Sequence, residues 1–78
     1  MTSKVQDLYK VPVRREYTVV SVPEIGLLQG LGIRSGTRVA LQDRYAFGGP
    51  ALLSIEDTYT VALGKDVASQ IAVQEAAS

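Results

Sequence analysis

The stretch FGGPALLSIED, residues Phe47–Asp57, decides how the middle of this chain folds. Gly48 and Gly49 permit a sharp reversal or a bulge of the backbone, because glycine tolerates conformations that other residues avoid. Pro50 has no amide hydrogen, so it fits only at the start or the edge of a strand. We therefore predict that residues 44–47, RYAF, project as a loop before the chain enters a strand over ALLSI.

Short strands are predicted on both sides of this loop. Each candidate segment is rich in β-branched or aromatic residues, or alternates between apolar and polar positions. The five segments are residues 15–22, 37–43, 51–55, 59–63 and 70–74. The polar sequence EDT, residues 56–58, separates the third segment from the fourth and predicts a tight antiparallel hairpin.

A short helix is predicted between the first two strands. Ser21 and Glu24 have the spacing of a capping box, and Pro23 suits a first helical turn. Leucines then recur at helical spacing and indicate one buried face, formed by Leu27, Leu28 and Leu31. A second helical turn is predicted within GKDVAS, residues 64–69, where Asp66 is favourable near the N-terminus.

Two glycines are expected to have a positive φ angle. Gly32 follows the last leucine of the helix, at the position where a left-handed residue commonly ends a helix. Gly36 completes the turn IRSG before the second strand. Alanine or valine at either position is therefore expected to strain the backbone.

A sheet this small with strands this short is expected to curl, because it must bury both of its ends. The predicted fold is mostly β: a small five-stranded antiparallel barrel over residues 15–75, with one short helix after the first strand and a helical turn before the last. Residues 1–14 are predicted to form an extended arm, with Leu8 or Tyr9 packed against the barrel. Residues 76–78 are predicted to form a frayed tail.

The composition excludes several classes of protein. The 78 residues suffice for one domain, and the zero formal net charge argues against a nucleic-acid binder held by phosphate contacts. Cysteine and histidine are both absent, so disulfides, thiolate or imidazole metal sites and a histidine general base are excluded. No apolar run approaches the roughly 18 residues of a membrane span, and the N-terminus lacks the apolar segment of a signal peptide. A cytosolic protein is expected.

Catalytic and metal sites are not expected. No serine lies in a nucleophile-elbow sequence, and the glycines match neither a Walker A loop nor a dinucleotide fingerprint. Asp43, Glu56, Asp57 and Asp66 carry carboxylates that are hard ligands suited to a divalent cation. Such residues are common in turns for backbone reasons, which favours a solvated surface. Tight ferrous iron binding by the isolated chain is therefore not expected, and anaerobic calorimetric titration tests this.

The aromatic residues of the 44–47 loop are the main candidate partner contact. Tyr45 and Phe47 lie beside flexible glycines, from which an aromatic side chain can anchor a partner. Alternatively, one of them folds back over the open end of the barrel, with Phe47 the expected core residue and Tyr45 the exposed one. Arg44 belongs to the same loop, and Leu28 is a further candidate if it lies outside the core contact of the other two leucines.

Six short motifs follow one another between residues 17 and 73. They are Leu31-Gly32-Ile33, Gly36-Thr37, Val39, Gly48-Gly49-Pro50, Ala62-Leu63 and the run from Ala68 through Ile71 to Val73. In order and spacing they resemble the pattern of the ferrous iron transport protein A (FeoA) family. Ser35 stands where members commonly have proline, and the segment between the first strand and the helix is short, so the surface there is expected to differ.

This resemblance implies an SH3-like barrel and a function without catalysis or a cofactor. Members of the family act with the membrane ferrous iron transporter (FeoB-type) and its GTP-binding domain. The implied function is therefore that of an accessory or regulatory protein of bacterial ferrous iron uptake, acting by protein–protein contact. The implied location is the cytoplasm, with attachment to the inner membrane only through the partner, and self-association stays open.

Three alternatives remain. The same domain type closes some metal-dependent transcriptional repressors, so an isolated regulatory domain of that type is the first. The start at Met1, with no helical DNA-binding part before the barrel, favours a stand-alone protein. A nucleic-acid-binding small barrel is the second alternative, although neutral charge and few aromatic residues count against it. The third is a peptide-binding module, whose grooves usually carry the tryptophan that this chain lacks.

Overall fold

Most predicted strands form where their composition places them. The computed structural model describes residues 4–76, and its elements in chain order are β1 (Gln6–Asp7), a 3-10 turn (Leu8–Lys10), β2 (Glu16–Ser21), α1 (Gly26–Gly30), β3 (Arg38–Arg44), β4 (Ala51–Ile55), β5 (Tyr59–Leu63), α2 (Lys65–Ala68) and β6 (Ala72–Glu75). The strands predicted at residues 51–55 and 59–63 are confirmed to the residue. β6 begins two residues later than predicted, because Gln70 and Ile71 still belong to the turn after α2, with Ile71 N donating to Ala68 O at 3.2 Å.

The strands of residues 4–76 form one antiparallel sheet in the order β1-β6-β2-β3-β4-β5. The predicted class, a small and mostly antiparallel β fold with two short helices, is confirmed. The prediction of a closed five-stranded barrel is wrong, because this range contains a sixth strand and β1 and β5 remain as separate edges. Residues 1–3 of the predicted arm and residues 77–78 of the predicted tail lie outside the described residues.

The sixth strand comes from the segment predicted to be an extended arm. β1 pairs with the start of β6, where Gln6 lies opposite Val73. Immediately after it, Leu8 and Val11 are fully buried in the core. Burying such side chains stabilises the fold by roughly 1.5–3 kcal/mol each, so core packing holds in place a strand too short to show any periodicity in the sequence.

The first helix is shorter than predicted and lacks the predicted capping box. α1 begins after Ile25, which makes no side-chain cap hydrogen bond. The amide of Ile25 instead donates to the carbonyl of Pro23 at 2.8 Å. Consecutive helical residues point about 100° apart, and the core accepts Leu28, which is fully buried, whereas Leu27 is 57% exposed. The condition that made Leu28 a contact candidate is therefore not met.

The connection from α1 to β3 turns at two glycines. Gly32 and Gly36 have φ angles of 80° and 95°, the positive values predicted for both. The hydroxyl of Thr37, a nearly buried polar group, donates to Gly32 O at 3.2 Å and accepts from Arg34 N at 3.1 Å. These two hydrogen bonds tie the connection together and leave Ile33 in the core.

A bulge bends β3 before it reaches the glycine loop. The register of β3 against β4 shifts between Leu41 and Asp43, which makes Gln42 the extra residue. Such a bulge increases the local twist and re-aims the residues that follow it. The sequence left open a reversal or a bulge at the adjacent glycines; the structure has a reversal there.

No helix within residues 4–76 is long and apolar enough to cross a membrane.

Candidate functional site

Residues 44–50, the aromatic loop, comprise the last residue of β3 and the connection to β4, which is closed by a tight turn. Gly49 N donates to Ala46 O at 3.2 Å and closes the turn. The two central residues, Phe47 and Gly48, have φ angles of 60° and 74°. Positive φ at both central positions is characteristic of a type I′ turn, the geometry that suits a tight hairpin. At the base of the loop Tyr45 N donates to Pro50 O at 3.1 Å.

Phe47 is fully exposed at the tip of the loop, with a relative accessibility of 105%. Tyr45 is 51% exposed. The expectation that Phe47 is the core residue is therefore wrong, because the left-handed turn directs its side chain away from the sheet. The loop presents both aromatic side chains to solvent, as the partner-contact hypothesis requires.

The loop is braced by Tyr9, a residue that the sequence offers no reason to associate with it. The Tyr9 hydroxyl donates to Gly49 O at 2.8 Å. Arg44 is half-buried, and its Nη1 donates to Tyr9 O at 2.7 Å. Lys65 lies over the Tyr9 ring, with Nζ at 5.8 Å from the ring centroid, a distance at which a cation–π attraction operates. Arg44, a candidate contact, thus also fixes the loop to the N-terminal segment.

Gly48 and Gly49 are required for different reasons. Gly48 has a positive φ and faces the side chain of Lys65, whose Cδ would lie at 3.5 Å from an added Cβ. Gly49 has no room for a side chain, since an added Cβ would lie at 2.8 Å from the Cβ of Tyr45 and 3.3 Å from Ala46 O. The loop is therefore close-packed at its base while its tip is open.

Phe47 occupies a backbone conformation that its side chain disfavours. A residue with a Cβ loses roughly 1–2 kcal/mol in the left-handed region, and asparagine, aspartate and glycine are the usual occupants. A phenylalanine there gains nothing from burial, because its ring is exposed. Strained residues that folding does not explain cluster at functional sites, so Phe47 is the residue of this loop that packing within the domain does not explain.

The remaining polar candidates are dispersed or engaged in the fold. Residues 4–76 contain no group of three or more acidic side chains close enough to hold a metal ion. Asp43 accepts from the amide of Arg44 at 2.8 Å, and Glu56 accepts from the amide of Arg38 at 2.9 Å. The expectation of no tight ferrous iron binding stays a prediction for titration.

A surface depression beside the turn into β3 contains hydroxyl groups, but they are already bonded. Its volume is about 400 Å³, and its lining includes Ser35, Thr37 and Glu56. The Ser35 hydroxyl donates to Val20 O at 3.0 Å, and the Thr37 hydroxyl donates to Gly32 O. Nucleophilic catalysis needs a base within hydrogen-bond reach of the nucleophile, and these hydroxyls donate to backbone carbonyls instead.

Comparison with known proteins places this geometry among related domains. The family model for the FeoA domain matches residues 7–75. A crystal structure of the iron uptake regulatory protein FeoA is 20% identical, with a TM-score of 0.82 over 94% of this chain and 99% of that one. An FeoA-like protein from Clostridium acetobutylicum is 24% identical, with a TM-score of 0.79 over 100% of this chain and 93% of its own.

Repressors are also among the similar structures. A manganese-dependent transcriptional repressor is 22% identical, with a TM-score of 0.84 over 97% of this chain but only 44% of its own length. At these identities the likeness concerns the fold alone. Among curated proteins, none matches the sequence significantly.

Proposed function

The chain belongs to the FeoA domain family, and from this membership we propose that it is a non-enzymatic accessory protein of bacterial ferrous iron uptake. Its proposed partner is the cytosolic part of a membrane ferrous iron transporter of the FeoB type, which carries a GTP-binding domain. The family match and the likeness to a solved FeoA support a role in iron uptake. The transporter contact itself is the proposal to be tested.

The observation that carries a function by contact is the exposed, strained Phe47. An aromatic side chain buries about 150–250 Å² when a partner covers it, enough for a binding hot spot of about 2 kcal/mol or more. The hydrogen bonds from Tyr9 to Gly49 and from Arg44 to Tyr9 fix the loop before binding. Less conformational entropy is therefore lost on association, which raises affinity for a given contact area.

Tyr45 extends the proposed contact surface at the same loop. It is half exposed, and its amide is tied to Pro50, so the ring projects from a fixed backbone. Tyrosine is enriched at hot spots because it buries a large apolar area and keeps a polar hydroxyl at its tip. We expect the partner surface to present an apolar pocket for Phe47 and a polar rim for Tyr45.

Calorimetric titration of the transporter's cytosolic portion into this protein tests the proposal. The parent chain is expected to bind, and Phe47→Ala to lower the affinity by about tenfold or more, the equivalent of roughly 1.4 kcal/mol. Leu27→Ala is the matched control, because it removes an exposed apolar side chain from α1, away from the aromatic loop. Absence of binding by the parent would contradict the proposed partner. An equal loss in both variants would contradict the proposed contact site.

A regulatory domain of the repressor type is the second candidate function. It is favoured by the TM-score of 0.84 to a manganese-dependent transcriptional repressor, of which a domain like this one forms 44%. This candidate predicts association with a helical DNA-binding domain and none with the transporter. The same titration, repeated with such a domain in place of the transporter, distinguishes the two.

A further inference from the structure

The two edges of the sheet are built differently, and one of them is unprotected. β1 is an edge of two residues that includes Asp7. β5 is an edge of five residues, YTVAL, without charge, proline or bulge. Natural sheets usually protect an edge with short strands, charges, prolines or bulges, because its free backbone groups invite pairing with another strand. Within the described residues no strand pairs with the outer side of β5.

The exposed part of β5 is complementary to itself in one antiparallel register. Tyr59 is 44% exposed, Thr60 is exposed and Val61 is half-buried. With a twofold axis at Thr60, the two threonines lie opposite each other, and each Tyr59 lies opposite a Val61. Threonine–threonine and aromatic–β-branched pairs are among the favourable cross-strand combinations. Because β5 contains no charged residue, no two charges face each other within the paired strands.

We propose that β5 pairs with β5 of a second copy of this chain, antiparallel about a twofold axis at Thr60. A twofold axis gives a closed, isologous interface, so the sheet is extended once and does not form a fibre. The zero formal net charge of the chain adds no long-range repulsion between copies. This proposal is independent of the transporter contact, because β5 contains no residue of the aromatic loop.

The Tyr59 side chain is fixed in the monomer by a hydrogen bond at the end of α1. Its hydroxyl donates to Leu31 O at the end of α1, and it also lies over Gly32, where an added Cβ would be 2.7 Å from the hydroxyl oxygen. The ring is thus held against the body of the domain, and Tyr59 stays 44% exposed. Pairing of a few residues buries far less than the roughly 1,200–2,000 Å² of a stable interface, so the dimer is expected to be weak and concentration-dependent.

Sedimentation velocity over a range of protein concentrations tests the proposal. The parent chain is expected to shift from its monomer mass of 8.4 kDa toward twice that value as concentration rises. Thr60→Lys places two ammonium groups opposite each other and is expected to remain a monomer, since like charges directly opposite destabilise a strand pair. Ser21→Lys is the control, because it adds the same charge at the exposed end of β2, a strand that is paired on both sides.

A charge-complementation experiment separates specific pairing from a general effect of charge. Thr60→Glu alone is expected to be a monomer, and an equimolar mixture with Thr60→Lys is expected to form a heterodimer. Thermal melting of each variant checks that the exposed substitutions leave the monomer folded. A parent chain that stays monomeric at every concentration would overturn the proposal, even if β5 took up a strand of another protein. Dimerisation of Thr60→Lys equal to that of the parent would also overturn it.

Discussion

The two turns that connect β3, β4 and β5 both hold non-glycine residues at positive φ, but only one compensates for the strain within the fold. In the β4–β5 turn, Glu56 and Asp57 have φ angles of 53° and 56°. The Glu56 carboxylate accepts from Arg38 N, and the Thr58 hydroxyl donates to Glu56 O at 2.9 Å. In the β3–β4 turn, Phe47 has a φ of 60° and a fully exposed ring that makes no such bond.

The difference separates a residue whose strained backbone is stabilised by hydrogen bonds within the fold from one whose strained backbone is not. Glu56 loses free energy in its backbone conformation. It recovers part of this loss because its carboxylate accepts a hydrogen bond from the amide of Arg38, where the pairing of β3 with β4 ends. Phe47 has the cost of a left-handed backbone without any gain from burial, because its ring is exposed to water. We propose that Phe47 serves contact with a partner, in line with the proposed function.

The largest expected effect on stability comes from the close-packed base of the aromatic loop. Gly49→Val introduces a Cβ at 2.8 Å from the Cβ of Tyr45, and overpacking of this kind costs about 1–3 kcal/mol. Chemical denaturation is expected to show a loss near the upper end of this range, because Pro50 restricts the residue before it as well. A variant as stable as the parent would mean that the loop is loosely held.

Glu56→Ala is expected to destabilise the protein by about 1–2 kcal/mol. It removes the acceptor of the Arg38 amide, a hydrogen bond to a charged group worth roughly 1.5–3 kcal/mol when made, and exposure of the turn to solvent reduces this value. Glu56→Gln keeps an oxygen acceptor and is expected to lose less. If both variants unfolded at the same denaturant concentration as the parent, the compensation assigned to this turn would be absent.

Phe47→Asn is expected to have the opposite sign and a smaller size. Asparagine tolerates the left-handed region and fits the first central position of a type I′ turn. The free energy of unfolding is therefore expected to rise by about 0.5–1 kcal/mol, since part of the roughly 1–2 kcal/mol cost of the left-handed conformation is relieved. A fall of similar size would show that the ring contributes to folding, and the contrast between the two turns would disappear.

Tyr45→Ala is expected to have the smallest effect on stability, within about 0.5 kcal/mol of the parent. Tyr45 is already 51% exposed, and alanine keeps the Cβ that packs against Gly49, so the loss of buried contact is limited. Affinity for the transporter's cytosolic portion is expected to fall by about 1–3 kcal/mol, the range for a truncated aromatic hot spot. A lower melting temperature with unchanged affinity would instead assign Tyr45 to the packing of the loop.

Strands with strong local signals could be predicted from the sequence, whereas features set by distant contacts could not. ALLSI and YTVAL are bounded by clear turn residues, and both form strands at the predicted positions. The packing of Leu8 against the sheet was predicted and is found, but β1 has only two residues, and no local pattern marks it as a strand. Leu27 and Leu28 are adjacent in sequence, and only the direction of a five-residue helix decides which of them is buried.

The candidate site was predictable in position but not in geometry. Adjacent glycines and a proline indicated a projecting loop with two aromatic residues. Of the two aromatic residues, Phe47 was expected to be the one in the core if either folded back, whereas the handedness of the turn exposes it. The bracing hydrogen bond from Tyr9 to Gly49 joins residues that are 40 positions apart, so the sequence contains no signal for it.

The most direct test of the central claim is the affinity of Phe47→Asn for the cytosolic portion of the transporter, measured beside its free energy of unfolding. We expect binding to weaken by about tenfold or more, the equivalent of roughly 1.4 kcal/mol, while stability is unchanged or higher. That combination would show that the fold tolerates the loss of Phe47 and the partner does not. An unchanged affinity in a variant that remains folded would contradict the assignment of Phe47 as the anchor.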